Sequence, residues 1–150
     1  MSIYALTIGL VAVFYVIYRF KKTRLEKTRW AYPVFMATFP VYYFIFAIYG
    51  SDYIALGKEM LIGIIFFILA YVAYKSNRKL SVFLVAAGCL LHAAYDMYHD
   101  ILFINAGTPG WWLEFCGSID LILGLYLIYS GLTVPDKAYK QGAQVVRASS

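Results

Sequence analysis

LSVFLVAAGCLLHAAYDMY, running from Leu80 to Tyr98, contains no lysine, arginine or glutamate, yet carries His92 and Asp96 in its second half. A helix needs ~20 mostly apolar residues to cross ~30 Å of hydrocarbon, and this run is long enough. It lacks the polar/apolar alternation of a membrane barrel strand, so it reads as a spanning helix. Working outward from it, four further stretches qualify: Ile3–Tyr18, Ala31–Tyr49, Tyr53–Tyr74 and Trp111–Leu132. The first is short, but Arg19 and Phe20 extend it, because an arginine can snorkel to the interface. The fold class is therefore all-α: a polytopic membrane protein built as a five-helix bundle over residues 1–134. Residues 135–150 read as a short polar cytoplasmic tail.

Composition agrees with this. The chain has 150 residues, of which 63% are hydrophobic and 14% charged. A soluble domain carries closer to ~25% charged residues, spread over its surface. The net charge of +5 raises the question of nucleic acid. Lysine and arginine sit in short clusters beside apolar runs, however, and offer no face that could follow a phosphate backbone. The partner they imply is the lipid bilayer. Cys89 and Cys116 both fall inside apolar runs and form no CxxC pair.

The basic clusters also give a direction. Arg19, Lys21, Lys22, Arg24, Lys27 and Arg29 follow the first span; Lys75, Arg78 and Lys79 follow the third; Lys137, Lys140 and Arg147 follow the fifth. The alternate connections, Gly50–Asp52 and His99–Gly110, contain no lysine or arginine. Twelve of the thirteen basic residues fall on one side, with Lys58 the exception. The positive-inside rule then places the N-terminus outside and the C-terminus inside the cytoplasmic (inner) membrane. The first span has no basic residue ahead of it, the reverse of a secretory signal. Pro33 starts the second span acceptably. Pro40 lies within it and should kink it, freeing the carbonyl of Met36.

On that topology most ionisable groups gather in the outer half. Lys58 and Glu59 lie roughly 8–9 Å in, His92 roughly 10–12 Å and Asp120 roughly 13 Å, at ~1.5 Å per residue. Cys89, His92, Asp96, His99 and Asp100 follow helical spacing and share one stripe of the fourth span. Cys116 and Asp120 share a face of the fifth, whereas Glu114 points elsewhere. Six of the eight acidic residues and both histidines sit outside or in this half; only Glu26 and Asp136 are cytoplasmic. His99, Asp100 and Asp52, being shallow, also fit as solvated loop residues. An aspartate at a helix centre costs ~2.5–3.5 kcal/mol even on insertion scales, so His92 and Asp120 must face the interior or a wet cavity. One such pair could simply lock two helices together. So large a cluster points to function.

Imidazoles and carboxylates are ligands for zinc, iron or manganese, and His92-x3-Asp96-x2-His99 presents three donors along one face. The metal-ligand candidates are His92, Asp96, His99 and Asp120. Glu59 and Glu114 are the acid/base candidates, with Asp120 an alternative base. The chemistry expected is metal-dependent hydrolysis of a lipid-like substrate. A proton- or cation-coupled transporter could use the same residues, but the inner half is nearly featureless, which fits a pocket better than a pore. A homo-oligomer could supply missing elements. A non-catalytic binding protein is the third class. Heme clamped between the two histidines is excluded within one chain, since they lie ~10.5 Å apart along the axis.

The segment His92-Ala-Ala-Tyr-Asp96-Met-Tyr-His99-Asp100, with Thr108-Pro-Gly-Trp-Trp112 and Cys116-x3-Asp120, resembles small bacterial integral membrane proteins grouped as a domain of unknown function. The resemblance covers about a fifth of the chain. It implies a shared membrane scaffold and the same polar residues, and it brings no activity. The alkaline ceramidase superfamily, with its membrane zinc sites of His and Asp, offers an analogy of chemistry only, since this chain has five spans and two histidines.

Overall fold

The computed structural model describes residues 2–133, so the tail expected over 135–150 lies outside the described residues. The helices are α1 (Ile3–Lys22), α2 (Ala31–Ala37), α3 (Phe39–Tyr49), α4 (Tyr53–Lys75), α5 (Arg78–Leu102) and α6 (Trp112–Thr133), with one 3₁₀ turn at Leu25–Lys27. Among the described residues there is no strand. With α2 and α3 counted as one broken unit, five helices are long and apolar enough to cross a membrane.

Short polar side chains start these helices where the sequence offers them. The Ala55 amide donates to Asp52 Oδ1 at 2.9 Å, the Leu80 amide to Asn77 Oδ1 at 3.0 Å and the Ala5 amide to the Ser2 hydroxyl at 3.4 Å. The second unit breaks where expected: α2 stops at Ala37 and α3 starts at Phe39, with Pro40 in its first turn. There the Thr38 amide and hydroxyl both donate to the Phe35 carbonyl, at 3.1 and 2.7 Å. Ser51, at φ 53°, turns the chain from α3 into α4, and the Asp52 amide closes the turn on the Ala47 carbonyl.

The basic loops meet at one end of the bundle. Arg29 donates to the carbonyls of Lys75 and Ser76 at 3.2 and 3.1 Å, and Arg78 donates to those of Thr28 and Glu26. The opposite end gathers the N-terminus, the 50–52 turn and the 103–111 loop; there the Ser2 amide donates to Glu114 Oε1 at 3.0 Å. The helices thus alternate in direction, and α1 runs alongside α6.

α5 is the central helix, packed against α2, α4 and α6. Half of its apolar window is buried, against 17% for α1, which packs mainly on α6. That approach needs Gly9: a Cβ there would come within 2.6 Å of the Phe115 carbonyl oxygen. The main core joins Val13, Met36, Phe39, Val85, Leu123 and Leu127. Outward faces are strongly apolar, with Ile3, Phe14, Ile45, Leu61 and Tyr129 all more than half exposed.

Candidate metal centre and its neighbour

α5 buries an unusual set of polar residues. His92, Asp96 and His99 lie on its inward stripe and are no more than 1% exposed. Each meets its partner from a different helix, because the stripe spans two helical turns and cannot converge on one point.

The deeper group lies between α5 and α6. His92 Nδ1 is 2.8 Å from Asp120 Oδ2 and 3.5 Å from Asp96 Oδ1. The Cys116 thiol lies 3.7 Å from Asp120 Oδ2, as expected for i, i+4 on one face. One ligand atom from each of His92, Asp96, Cys116 and Asp120 falls within 4.8 Å of the others. The Tyr43 hydroxyl donates to Asp96 Oδ1 at 2.7 Å. Phe39 and Phe66 close over His92, each with its ring centroid 5.0 Å from the imidazole. Asp96 Oδ2 and Asp120 Oδ1, both buried, have no hydrogen-bond partner among the described residues. No lysine or arginine among the described residues forms an ion pair with either aspartate. A buried carboxylate oxygen left unmatched costs ~1–3 kcal/mol, and more when charged. Four donors of metal-ligating type therefore face one another with acceptor capacity to spare.

The shallower group belongs to α4, α5 and the 103–111 loop. His99 Nε2 lies 2.9 Å from Glu59 Oε1, and His99 Nδ1 lies 3.0 Å from Asp100 Oδ1. Glu59, 2% exposed, also accepts from the Tyr95 hydroxyl at 2.7 Å and from Asn105 Nδ2 at 3.1 Å. Asp100 is 67% exposed, matching its solvated reading. His99 departs from that reading because α5 continues past Tyr98 to Leu102 and the following loop brings Asn105 and Phe103 over it. Lys58 stands over the Phe103 ring, 5.1 Å from its centroid.

The expected ligand set thus divides. His92, Asp96 and Asp120 come together; His99 has both ring nitrogens engaged by other carboxylates, and Cys116 takes the fourth place. Glu59 serves the His99 group. Glu114 points away from Cys116 and Asp120, as its helical position indicated; it meets the Ser2 amide ahead of α1 and lines a groove of about 630 Å³ between α1, α5 and α6. Asp96 lines that groove as well. Tyr43 and Asn105 were not singled out by sequence. One tyrosine among fifteen carries no distinguishing signal, and Asn105 acts only through the fold of its loop. Comparison with protein families, with curated proteins and with solved structures finds no match for this chain.

Proposed function

We propose that this chain is a metal-dependent membrane enzyme, a hydrolase of lipid-like substrates, with His92, Asp96, Cys116 and Asp120 as its metal ligands. The observation that carries this reading is the convergence of four buried donors, two of them carboxylates with an unpartnered oxygen, within 4.8 Å. A divalent cation would neutralise charges that are otherwise expensive in hydrocarbon. One nitrogen, two carboxylates and a thiolate favour zinc or iron over manganese, because the sulfur is a soft ligand. Such a metal supplies Lewis acidity and a water acidic enough to attack near neutral pH. The chain's own residues do the rest. The hydrogen bond from Tyr43 orients Asp96, as groups behind metal ligands commonly do. Glu114 borders the same groove as Asp96, which makes it the acid/base candidate beside substrate. The charge pattern of the loops supports an arrangement with the N-terminus and the Glu59–His99 group outside the cytoplasmic membrane.

Elemental analysis of purified protein tests the reading. One equivalent of zinc or iron in the wild type, lost in both His92→Ala and Asp120→Asn, is the expected result. No metal in any preparation, metal-supplemented ones included, overturns it. A reporter fused after Ser150 tests the orientation and should be active only on the cytoplasmic side.

A further inference from the structure

At the basic end of the bundle a second groove opens between α2 and α4, away from the buried cluster. The more buried of its lining residues, Pro33, Ala37 and Ala70, are short, so the two helices leave space between them. Val34 and Phe67 rise beside that space, and Trp30, Tyr71 and Tyr74 stand toward the loops. The volume, about 470 Å³, is in the range of a small-ligand site. α2 leaves the basic end and α4 returns to it, so Trp30 shares an end with Tyr74 and Ala37 shares one with Phe67. The lining therefore runs roughly 10 Å along each helix.

Two cations stand at the loop end of this groove. The Lys75 ammonium lies over the rings of Tyr71 and Tyr74, 5.7 and 6.0 Å from their centroids, which holds it against two lining residues. Arg29, next to Trp30, is fixed by the bonds from its Nη2 to the Lys75 and Ser76 carbonyls. Those bonds use one nitrogen of a guanidinium that carries five N–H groups, and the side chain is exposed. Neither cation forms an ion pair among the described residues. Glu26 is the one acidic residue described at this end, and its Oε2 accepts from Tyr126 of α6 instead. Uncompensated positive charge is thus held at the lip of the groove.

The order of environments matches that of a phospholipid. Apolar lining lies toward the middle of the helices, amphipathic rings follow, and two cations face the loops. Tryptophan and tyrosine settle at headgroup level, and basic residues at the surface attract anionic lipids. A zwitterionic head gains less, because its own ammonium meets like charge. A free phosphate leaves the apolar part unfilled. A second copy of this chain would have to bring a carboxylate to the lip, and at this end Glu26 is already engaged.

We propose that the α2–α4 groove is a binding site for an anionic phospholipid of the leaflet at the basic end. One acyl chain lies against Val34, Ala37 and Phe67, and the phosphate lies between Arg29 and Lys75. The site is independent of the metal and of the enzyme reading.

The test uses full-length protein in phosphatidylcholine vesicles with a trace of phosphatidylglycerol that carries a diazirine in one acyl chain. Phosphatidylcholine with the same labelled chain is the comparison. Adducts on Val34, Ala37, Phe67 and Tyr71 should favour phosphatidylglycerol about fivefold or more, and unlabelled phosphatidylglycerol should displace them. Arg29→Gln with Lys75→Gln should abolish the preference, and Lys75→Gln alone should already lower it. Lys21→Gln with Lys22→Gln removes the same charge from exposed side chains of α1 at the same end and should leave the preference intact. Equal labelling by the two lipids, or labelling spread evenly over all apolar faces, would overturn the proposal. So would an equal loss of preference in the Lys21 and Lys22 variant, which would make the attraction a property of the whole basic end. Displacement by soluble glycerol phosphate, or chain-to-chain crosslinks replacing lipid adducts as protein density rises, would assign the groove to another occupant and overturn it as well.

Discussion

Tyr43 touches both polar groups at once: its hydroxyl donates to Asp96 at 2.7 Å, and its ring stacks on His99 with centroids 4.6 Å apart. Its backbone carbonyl also accepts from Asn105 at 3.2 Å, tying α3 to the 103–111 loop. Removing the hydroxyl alone separates these duties. Tyr43→Phe should keep the stack and the loop, cost ~1–3 kcal/mol of stability and weaken metal binding ~10–100-fold. Thermal unfolding and metal titration check it. Combined with Asp96→Asn, its effects should be strongly non-additive, because the two share one hydrogen bond.

The sulfur of Cys116 distinguishes a mixed-donor centre from a plain carboxylate–histidine one. Cobalt-loaded protein should show a thiolate-to-metal charge-transfer band in the near ultraviolet, and Cys116→Ser should abolish it while retaining weaker cobalt binding. An identical spectrum in the variant would remove Cys116 from the ligand set. Cys89, buried one turn below His92 and free, serves as the control: Cys89→Ala should keep the band.

Metal content should separate the two histidines. His99→Ala leaves Glu59 with Tyr95 and Asn105 but without its imidazole, and breaking a buried pair of this kind costs ~3–5 kcal/mol. The variant should be less stable in thermal unfolding yet still bind one metal per chain when purified at low temperature. His92→Ala should lose the metal. Loss of metal from His99→Ala under conditions where it remains folded would put His99 back among the ligands.

Gly9 offers a purely steric prediction. Gly9→Leu forces a branched side chain against the Phe115 backbone and should cost at least ~1–3 kcal/mol by overpacking. The loss should appear first as release of α1. Protection of a cysteine placed at Ser118, which meets α1 beside Gly9, would report it, and metal binding should persist.

The helices were legible because hydrocarbon allows so few backbone solutions, and the break at Pro40 because a missing amide is a local fact. The cluster was legible as a stripe on α5, since helical spacing fixes which residues share a face. Which helix answers each residue was not. Axial counting puts Glu59 level with His92 and Asp120, whereas Glu59 pairs with His99, about two α5 turns further toward the loops. Helix tilt, the extension of α5 to Leu102 and the fold of residues 103–111 shift those levels, and none follows from spacing. Cys116 was seen to share a face with Asp120 but was not grouped with the ligands. Its place beside them depends on how closely α6 approaches α5, which Gly124 permits, since a Cβ there would come within 3.2 Å of the Ala86 carbonyl oxygen.

α1, with 17% of its window buried and its main packing partner in α6, where 112 residues separate Ser2 from Glu114, has a consequence for biogenesis. Synthesis runs from N- to C-terminus, so α1 is made before α2 to α5 and must wait for its packing partner until α6 is made. The bundle of α2 to α5 can assemble in the meantime through contacts of its own, but Asp96 and His92 then lack Asp120, and the groove between α1, α5 and α6 lacks one wall. Arrival of α6 supplies all of these together. The hydrogen bond from the Ser2 amide to Glu114 joins segments made before and after the four intervening helices, so the buried cluster closes only once α6 has been made.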